Sequence, residues 1–309
     1  MTFMKIDKRR LSFLVLSVFL VLMPLYLYSC SGGGYDNPQK QAATSSVLIS
    51  PETLNDWVTN GYRTDSAGYN KMVVFDVASA SGATSYTGSG HVPGAFLLDT
   101  ATDLQVARSE GIGGSYSDGS INTPGLVATS EMMNTVIRRT GIDQNTVVVI
   151  TGDSLLNMGT AYFNFRYWGF PKERLKVLDR TNAAYKTAGF SLDTAVPPAP
   201  AASAYSVCDL TQNTSLRATL SDMINVAEGT EPNSLAWDVR TLSEYNGVAG
   251  STPGPLGNPK KVAFEGHIKG AKHLNYLDLL DGAVIRDAET VKTLLAAAEI
   301  TPDKTTHMY

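Results

Sequence analysis

The sequence predicts an α/β protein made of two copies of one unit, each a parallel sheet flanked by helices, with the second copy incomplete. Three observations carry this. A phrase recurs, first as Gly90-His91-Val92-Pro93-Gly94-Ala95 and again as Gly266-His267-Ile268-Lys269-Gly270-Ala271. Each copy follows an apolar strand ending in aspartate, Val73-Val74-Phe75-Asp76 and Leu235-Ala236-Trp237-Asp238. Each precedes an amphipathic helix and a further strand-like run, residues 147–150 and 305–309. A repeat of this size means that one supersecondary unit has been used twice, and strands alternating with helices argue for parallel sheets.

The elements follow in order. Pro51 opens a short helix with Leu54, Trp57 and Val58 on one face. Residues 73–76 form a buried strand. Ser130 is the expected N-cap of a helix that turns Met133, Val136 and Ile137 inward and ends at Gly141. Residues 147–150, all apolar and β-branched, read as a central strand covered on both faces. A helix follows over 161–168, with Phe163, Tyr167 and Trp168 as expected anchors, then a strand over 175–179 and a helix over 183–189. The second unit repeats the strand at 235–238, followed by Arg240. Its helix is capped by Asp287 and carries Val291, Leu294, Leu295 and Ala298 at helical spacing. Ile142 and Ile300 occupy the same place after the two helices. Allowing one extra residue in the second turn pairs Thr146 with Thr305, which matches Thr151 to the position after Tyr309. Thr305 to Tyr309 would then be a central-type strand left as an edge.

The N-terminal segment has the pattern of a secretory signal. Lys5, Lys8, Arg9 and Arg10 precede an apolar stretch over 11–28 that ends in Ser29-Cys30. The expected division is a lipoprotein signal peptide over 1–29, a flexible tether over 30–46, a first domain over 47–193, a Pro-rich linker over 194–204 and a second domain over 205–309. Cys30 is the expected lipidation site, placing the protein in a bacterial cell envelope, lipid-anchored on the periplasmic side, with an uncleaved anchor as the competing reading. Removing the segment takes away four basic residues and Asp7, which leaves the remainder more acidic than the whole chain's −4. No Lys/Arg cluster falls on a predicted helix, so nucleic acid is not an expected partner. Cys208 is the second of two cysteines; with Cys30 lipidated it is expected to be a small buried apolar residue. His273 and His307 show no ligand spacing, so neither a metal nor a cofactor is argued.

These motifs, in this order and twice over, resemble the rhodanese family, specifically its tandem sulfurtransferases that use thiosulfate or 3-mercaptopyruvate, with the chain ending before the active-site loop. Val177-Leu178-Asp179 followed by Ala183-Ala184-Tyr185 looks like that family's closing strand and helix. The resemblance implies a nucleophilic cysteine directly after a central strand, where loop N–H groups and a helix N-terminus stabilise a thiolate. The thiolate takes sulfur from a small donor, holds it as a persulfide and yields it to a thiol or cyanide. It implies a non-catalytic first domain, because Thr151 stands at the nucleophile position and Ala78 where the second domain has Arg240. Asp238 and Arg240 match the family's Asp-x-Arg and are the candidate substrate-binding pair, an ion pair holding the loop being the bland alternative. Glu244 stands where relatives using anionic donors carry arginine. His91 and His267 are expected to fix their turns. The nucleophile itself, cysteine or selenocysteine, is expected immediately after Tyr309. The rival expectation is a catalytically silent envelope module.

Overall fold

The structure, a computed structural model, describes residues 46–65, 68–69, 71–79, 83–109, 122–251 and 265–309. The expected signal, the tether as far as residue 45 and Cys30 lie outside these residues. Among the described residues no helix is long and apolar enough to cross a membrane.

The first half is a parallel sheet under helices. Its strands are β1 (Leu48–Ile49), β2 (Lys71–Ala78), β3 (Phe96–Asp99), β6 (Thr146–Gly152) and β7 (Leu175–Leu178), in the order β1-β7-β6-β2-β3, every neighbouring pair parallel. An antiparallel hairpin, β4 (Gln105–Ser109) with β5 (Asn122–Val127), stands beside it. All seven residues of β6 are buried, as its unbroken apolar run requires when helices cover both faces. The helices are α1 (Pro51–Thr59), α2 (Ala83–Gly88), α3 (Ser130–Thr140), α4 (Leu155–Tyr167) and α5 (Asn182–Thr187).

Local chemistry sets their ends. Ser50 caps α1, its Oγ accepting from the Thr53 N–H at 3.3 Å. In α3 the cap is Thr129 rather than Ser130: Thr129 Oγ1 accepts from Met132 N–H at 3.3 Å, and Ser130 becomes the first helical residue. Gly141 closes α3 with φ 65°, a left-handed conformation that glycine adopts without cost. In α4 the expected anchor Phe163 is among the exposed residues, and Phe165 is fully buried in its place. Met158, Ala161 and Phe165 lie inward at helical spacing, and Phe163 falls between them on the outer side.

The second half is smaller. The strands β8 (Ser234–Asp238), β9 (Lys272–His273) and β12 (Thr305–Met308) form a parallel sheet in the order β12-β8-β9. A hairpin, β10 (Leu280–Asp281) with β11 (Val284–Ile285), and helices α6 (Leu220–Glu228), α7 (Leu242–Tyr245) and α8 (Ala288–Ala297) accompany it. Asp287 caps α8 as expected. Val291, Leu294, Leu295 and Ala298 share its inner face, but none is fully buried. β12 is an edge strand in this sheet, with Met308 exposed.

The expected start of the second domain at Tyr205 falls in a segment that packs on the first sheet's helices. Val207 joins the first core, with Tyr205 and Leu210 packed against it. Asn134 Oδ1 accepts from Ser206 Oγ and Val207 N–H at 3.0 and 2.9 Å. Buried Arg174 donates to the Thr146 carbonyl, the Asp143 carbonyl and the Tyr205 hydroxyl, with its guanidinium over the Tyr205 and Phe170 rings. A guanidinium buried this way needs all those partners. Cys208, expected buried, is exposed. It follows the Ser206 cap on a turn whose inward side chain is Val207.

Candidate functional site

The two repeats close the same turn with the same bonds. His91 Nδ1 donates to the Tyr86 carbonyl at 2.8 Å, and His267 Nδ1 to the Tyr245 carbonyl at 2.7 Å. Each imidazole stacks on that tyrosine's ring with centroids 3.8 Å apart. Each tyrosine hydroxyl donates to the alanine that ends the phrase, Ala95 at 2.6 Å and Ala271 at 3.0 Å. The histidines therefore fix turns. Tyr86 and Tyr245 were not legible beforehand, because one precedes its histidine by five residues and the other by twenty-two.

The sheets align in register as well. Phe75 pairs with Phe96 and Trp237 with Lys272, so Asp76 and Asp238 are equivalent. Asp76 pairs with Thr151. Asp238 faces Tyr309 in the same way, with Tyr309 N–H donating to the Trp237 carbonyl at 3.0 Å and Val239 N–H to the Tyr309 carbonyl at 3.2 Å. The preceding turns match too: Thr146 N–H reaches the Asp143 carbonyl and Lys304 N–H the Thr301 carbonyl, both at 3.2 Å. The second turn therefore has no extra residue. Thr151 corresponds to Tyr309, and the position after Tyr309 corresponds to Gly152. This shifts the expected correspondence by one residue. Thr151 is fully buried within β6, its hydroxyl donating to the Phe75 carbonyl at 2.8 Å, and a Cβ on Gly152 would lie 2.6 Å from the Val77 carbonyl oxygen.

At the mouth of the second sheet Asp238 is fully buried and Arg240 forks onto it. Arg240 Nε donates to Oδ1 at 3.0 Å, Nη2 to Oδ2 at 2.6 Å, and the Arg240 N–H to Oδ1 at 3.0 Å. Nη2 also reaches the Gly266 carbonyl at 2.7 Å, tying the fork to the repeated phrase. The guanidinium carbon lies 5.6 Å from the centre of the Tyr309 ring, and Ile268 N–H donates to Tyr309 Oη at 2.9 Å. Burial pushes the Asp238 carboxyl up, but the bonds and charge of Arg240 outweigh this and hold it below the usual range. Asp238 and Arg240, the expected substrate-binding pair, lie side by side. They meet first each other: Asp238 is sealed, while the Arg240 side chain keeps 24 % exposure and its Nη1 has no hydrogen bond among the described residues. Glu244 is occupied in a helix cap, accepting from Thr241 N–H at 3.0 Å and Oγ1 at 2.7 Å. His273 Nε2 donates to the Arg240 carbonyl at 2.9 Å. Among the described residues no group of three or more His, Cys, Asp or Glu is placed to hold a metal.

The corresponding mouth of the first sheet is open. Ala78 leaves the guanidinium position empty, and a cavity of about 570 Å³ lies there, lined by Asp76, Val77, Ala78, Ser79, Ser85, Gly88, Ser89, Asp153, Ser154 and Asn157. Asp76 is 3 % exposed. Its Oδ1 accepts from Asn182 Nδ2 at 2.5 Å. Burial pushes its carboxyl up to about 6, against the Asn182 bond and with Asp153 adding repulsion.

Solved structures share this fold. SseA from Escherichia coli, described with the rhodanese fold and catalytic mechanism of 3-mercaptopyruvate sulfotransferases, aligns with TM-score 0.63 at 14% identity, covering 85% of this chain and 88% of its own. An anaerobic ergothioneine biosynthesis enzyme from Chlorobium limicola, bound to trimethyl histidine, aligns with TM-score 0.63 at 19% identity over 85% of this chain and 60% of its own. YnjE aligns with TM-score 0.59 at 17% identity over 85% of this chain and 58% of its own. The chain thus spans most of SseA but under two thirds of the other two. No family model and no curated protein matches the sequence. The fold is the rhodanese fold.

Proposed function

We propose that the protein is a rhodanese-like sulfurtransferase that moves sulfane sulfur from a small donor to a thiol or cyanide acceptor, using a cysteine or selenocysteine carried directly after Tyr309. The observation that supports this best is the Arg240 fork at the carboxyl ends of the second sheet's strands, beside Tyr309, with one guanidinium nitrogen left for an anion. The thiolate or selenolate attacks the donor's outer sulfur, and the donor's bond to that sulfur breaks with its electron pair leaving on the donor. The acceptor then attacks the enzyme-bound sulfur and restores the thiolate or selenolate, so no external oxidant is needed. Arg240 steadies the anion that departs. The first sheet offers no nucleophile at the matching position, since Gly152 has no side chain, and it serves as scaffold.

The test is thiocyanate formation from thiosulfate or 3-mercaptopyruvate with cyanide. The 309-residue chain is expected to stay at background. A protein extended through the downstream codons should be active, and Arg240→Ala should lower its kcat/KM about tenfold or more. An extended, folded protein carrying the cysteine or selenocysteine without activity on either donor overturns the reading in favour of a silent binding module, which the open cleft of the first sheet would suit. We also propose envelope anchoring through a lipid on Cys30. The chain has two cysteines, so acylated Cys30 and an intrachain bridge to Cys208 exclude each other. An acylated N-terminal peptide in the mature protein's mass spectrum supports the anchor, and a peptide pair joined through Cys30 and Cys208 refutes it.

A further inference from the structure

We infer that the cleft at the mouth of the first sheet is a separate binding site for a small organic cation carrying a guanidinium or primary ammonium group. This does not depend on sulfur transfer at the second sheet.

The argument is internal to the molecule. Asp76 and Asp238 are equivalent by two independent strand registers. In the second sheet this carboxylate is saturated by a guanidinium two residues on. In the first sheet that residue is Ala78, and the volume where the guanidinium would lie belongs to a cavity of about 570 Å³. Asp76 is nearly sealed from bulk solvent, at 3 % exposed, yet lines that cavity. Only its Oδ1 is bonded, to Asn182; Oδ2 takes no hydrogen bond among the described residues. Asp76 lines the cavity, so a donor on a ligand can reach that free oxygen.

The rest of the lining fits the same ligand class. Among the described residues no lysine or arginine lines the cavity, while Asp153 adds a second carboxylate. Ser79, Ser89, Ser154 and Asn157 offer hydroxyl and amide groups for the remainder of a polar molecule. An anionic sulfur donor is therefore disfavoured here. The position also suits a ligand on topological grounds. From β2 the chain goes to β3 on one side, then crosses to β6 and β7 on the other, so the cavity lies between the carboxyl ends of β2 and β6 where strand order reverses.

The test uses methylguanidinium and ethylammonium chloride as probes, titrated at constant ionic strength into the folded protein and followed by amide chemical shifts. Saturable binding of at least one probe is expected, with shifts confined to the ends of β2 and β6. Asp76→Asn should weaken it at least tenfold. Ala78→Arg, which supplies the guanidinium from the chain itself, should abolish it and raise Tm. If Asp76→Asn fails to fold by circular dichroism, Ala78→Arg alone decides. Absence of saturable binding of both probes, shifts located elsewhere, or binding unchanged in the folded variants overturns the inference.

Discussion

The two sheet mouths hold equivalent aspartates with different partners, and the partners reverse the electrostatics. Asp76 and Asp238 share a backbone position, a neighbouring Gly-His turn and a stacked tyrosine. Asp238 has Arg240 and is held ionised; Asp76 has Ala78 and is pushed up to about 6. The comparison shows that burial alone does not fix a carboxylate's state; the partner does. The guanidinium that ties Asp238 to the Gly266 carbonyl has no counterpart at Ala78, which lines a cavity.

Breaking the fork is the largest expected effect. Arg240→Ala leaves Asp238 buried and unpaired, and because Arg240 is partly exposed we expect a loss of about 3 kcal/mol, at the low end of such cases. Chemical denaturation at neutral pH measures it. The opposite change in the other mouth has the opposite sign. Asp76 is easier to protonate folded than unfolded, its pKa lying at about 6 against 3.8. Its stabilising contribution is therefore fully present below about pH 4 and is lost as pH rises through about 6, at most roughly 3 kcal/mol. Asp76→Asn should stabilise the protein at pH 7 and flatten this part of its pH–Tm profile. A like substitution at Asp238 should destabilise, since that carboxyl is lowered and its contribution is lost as pH falls.

Much of this was legible beforehand. The repeat, the strands ending in aspartate and the Asp-x-Arg pair were readable because short motifs with fixed spacing survive in sequence. The open cleft was not, because its lining comes from three separate stretches, 76–79, 85–89 and 153–157, and its meaning rests on an alanine. Asn182 was missed for the same reason: it reaches Asp76 across 106 positions. Phe163 and Phe165 were confused because a run of aromatics in α4 gives little periodic contrast. The register slipped by one because a strand's neighbours, not its residues, fix where it starts.

Smaller changes sharpen the comparison. Tyr86→Phe and Tyr245→Phe each remove one hydrogen bond to an alanine carbonyl. The first, in a buried turn, should cost about 1.5 kcal/mol and the second, partly exposed, about 0.5 to 1 kcal/mol, read from denaturation midpoints. Glu244→Ala removes half of a surface capping box and should cost about 0.5 kcal/mol.

The most direct test is residue-resolved titration of the Asp76 and Asp238 carboxyl carbons by NMR. The account predicts a midpoint near 6 for Asp76 and one below the ordinary aspartate value for Asp238. Coincident midpoints for the two would contradict it.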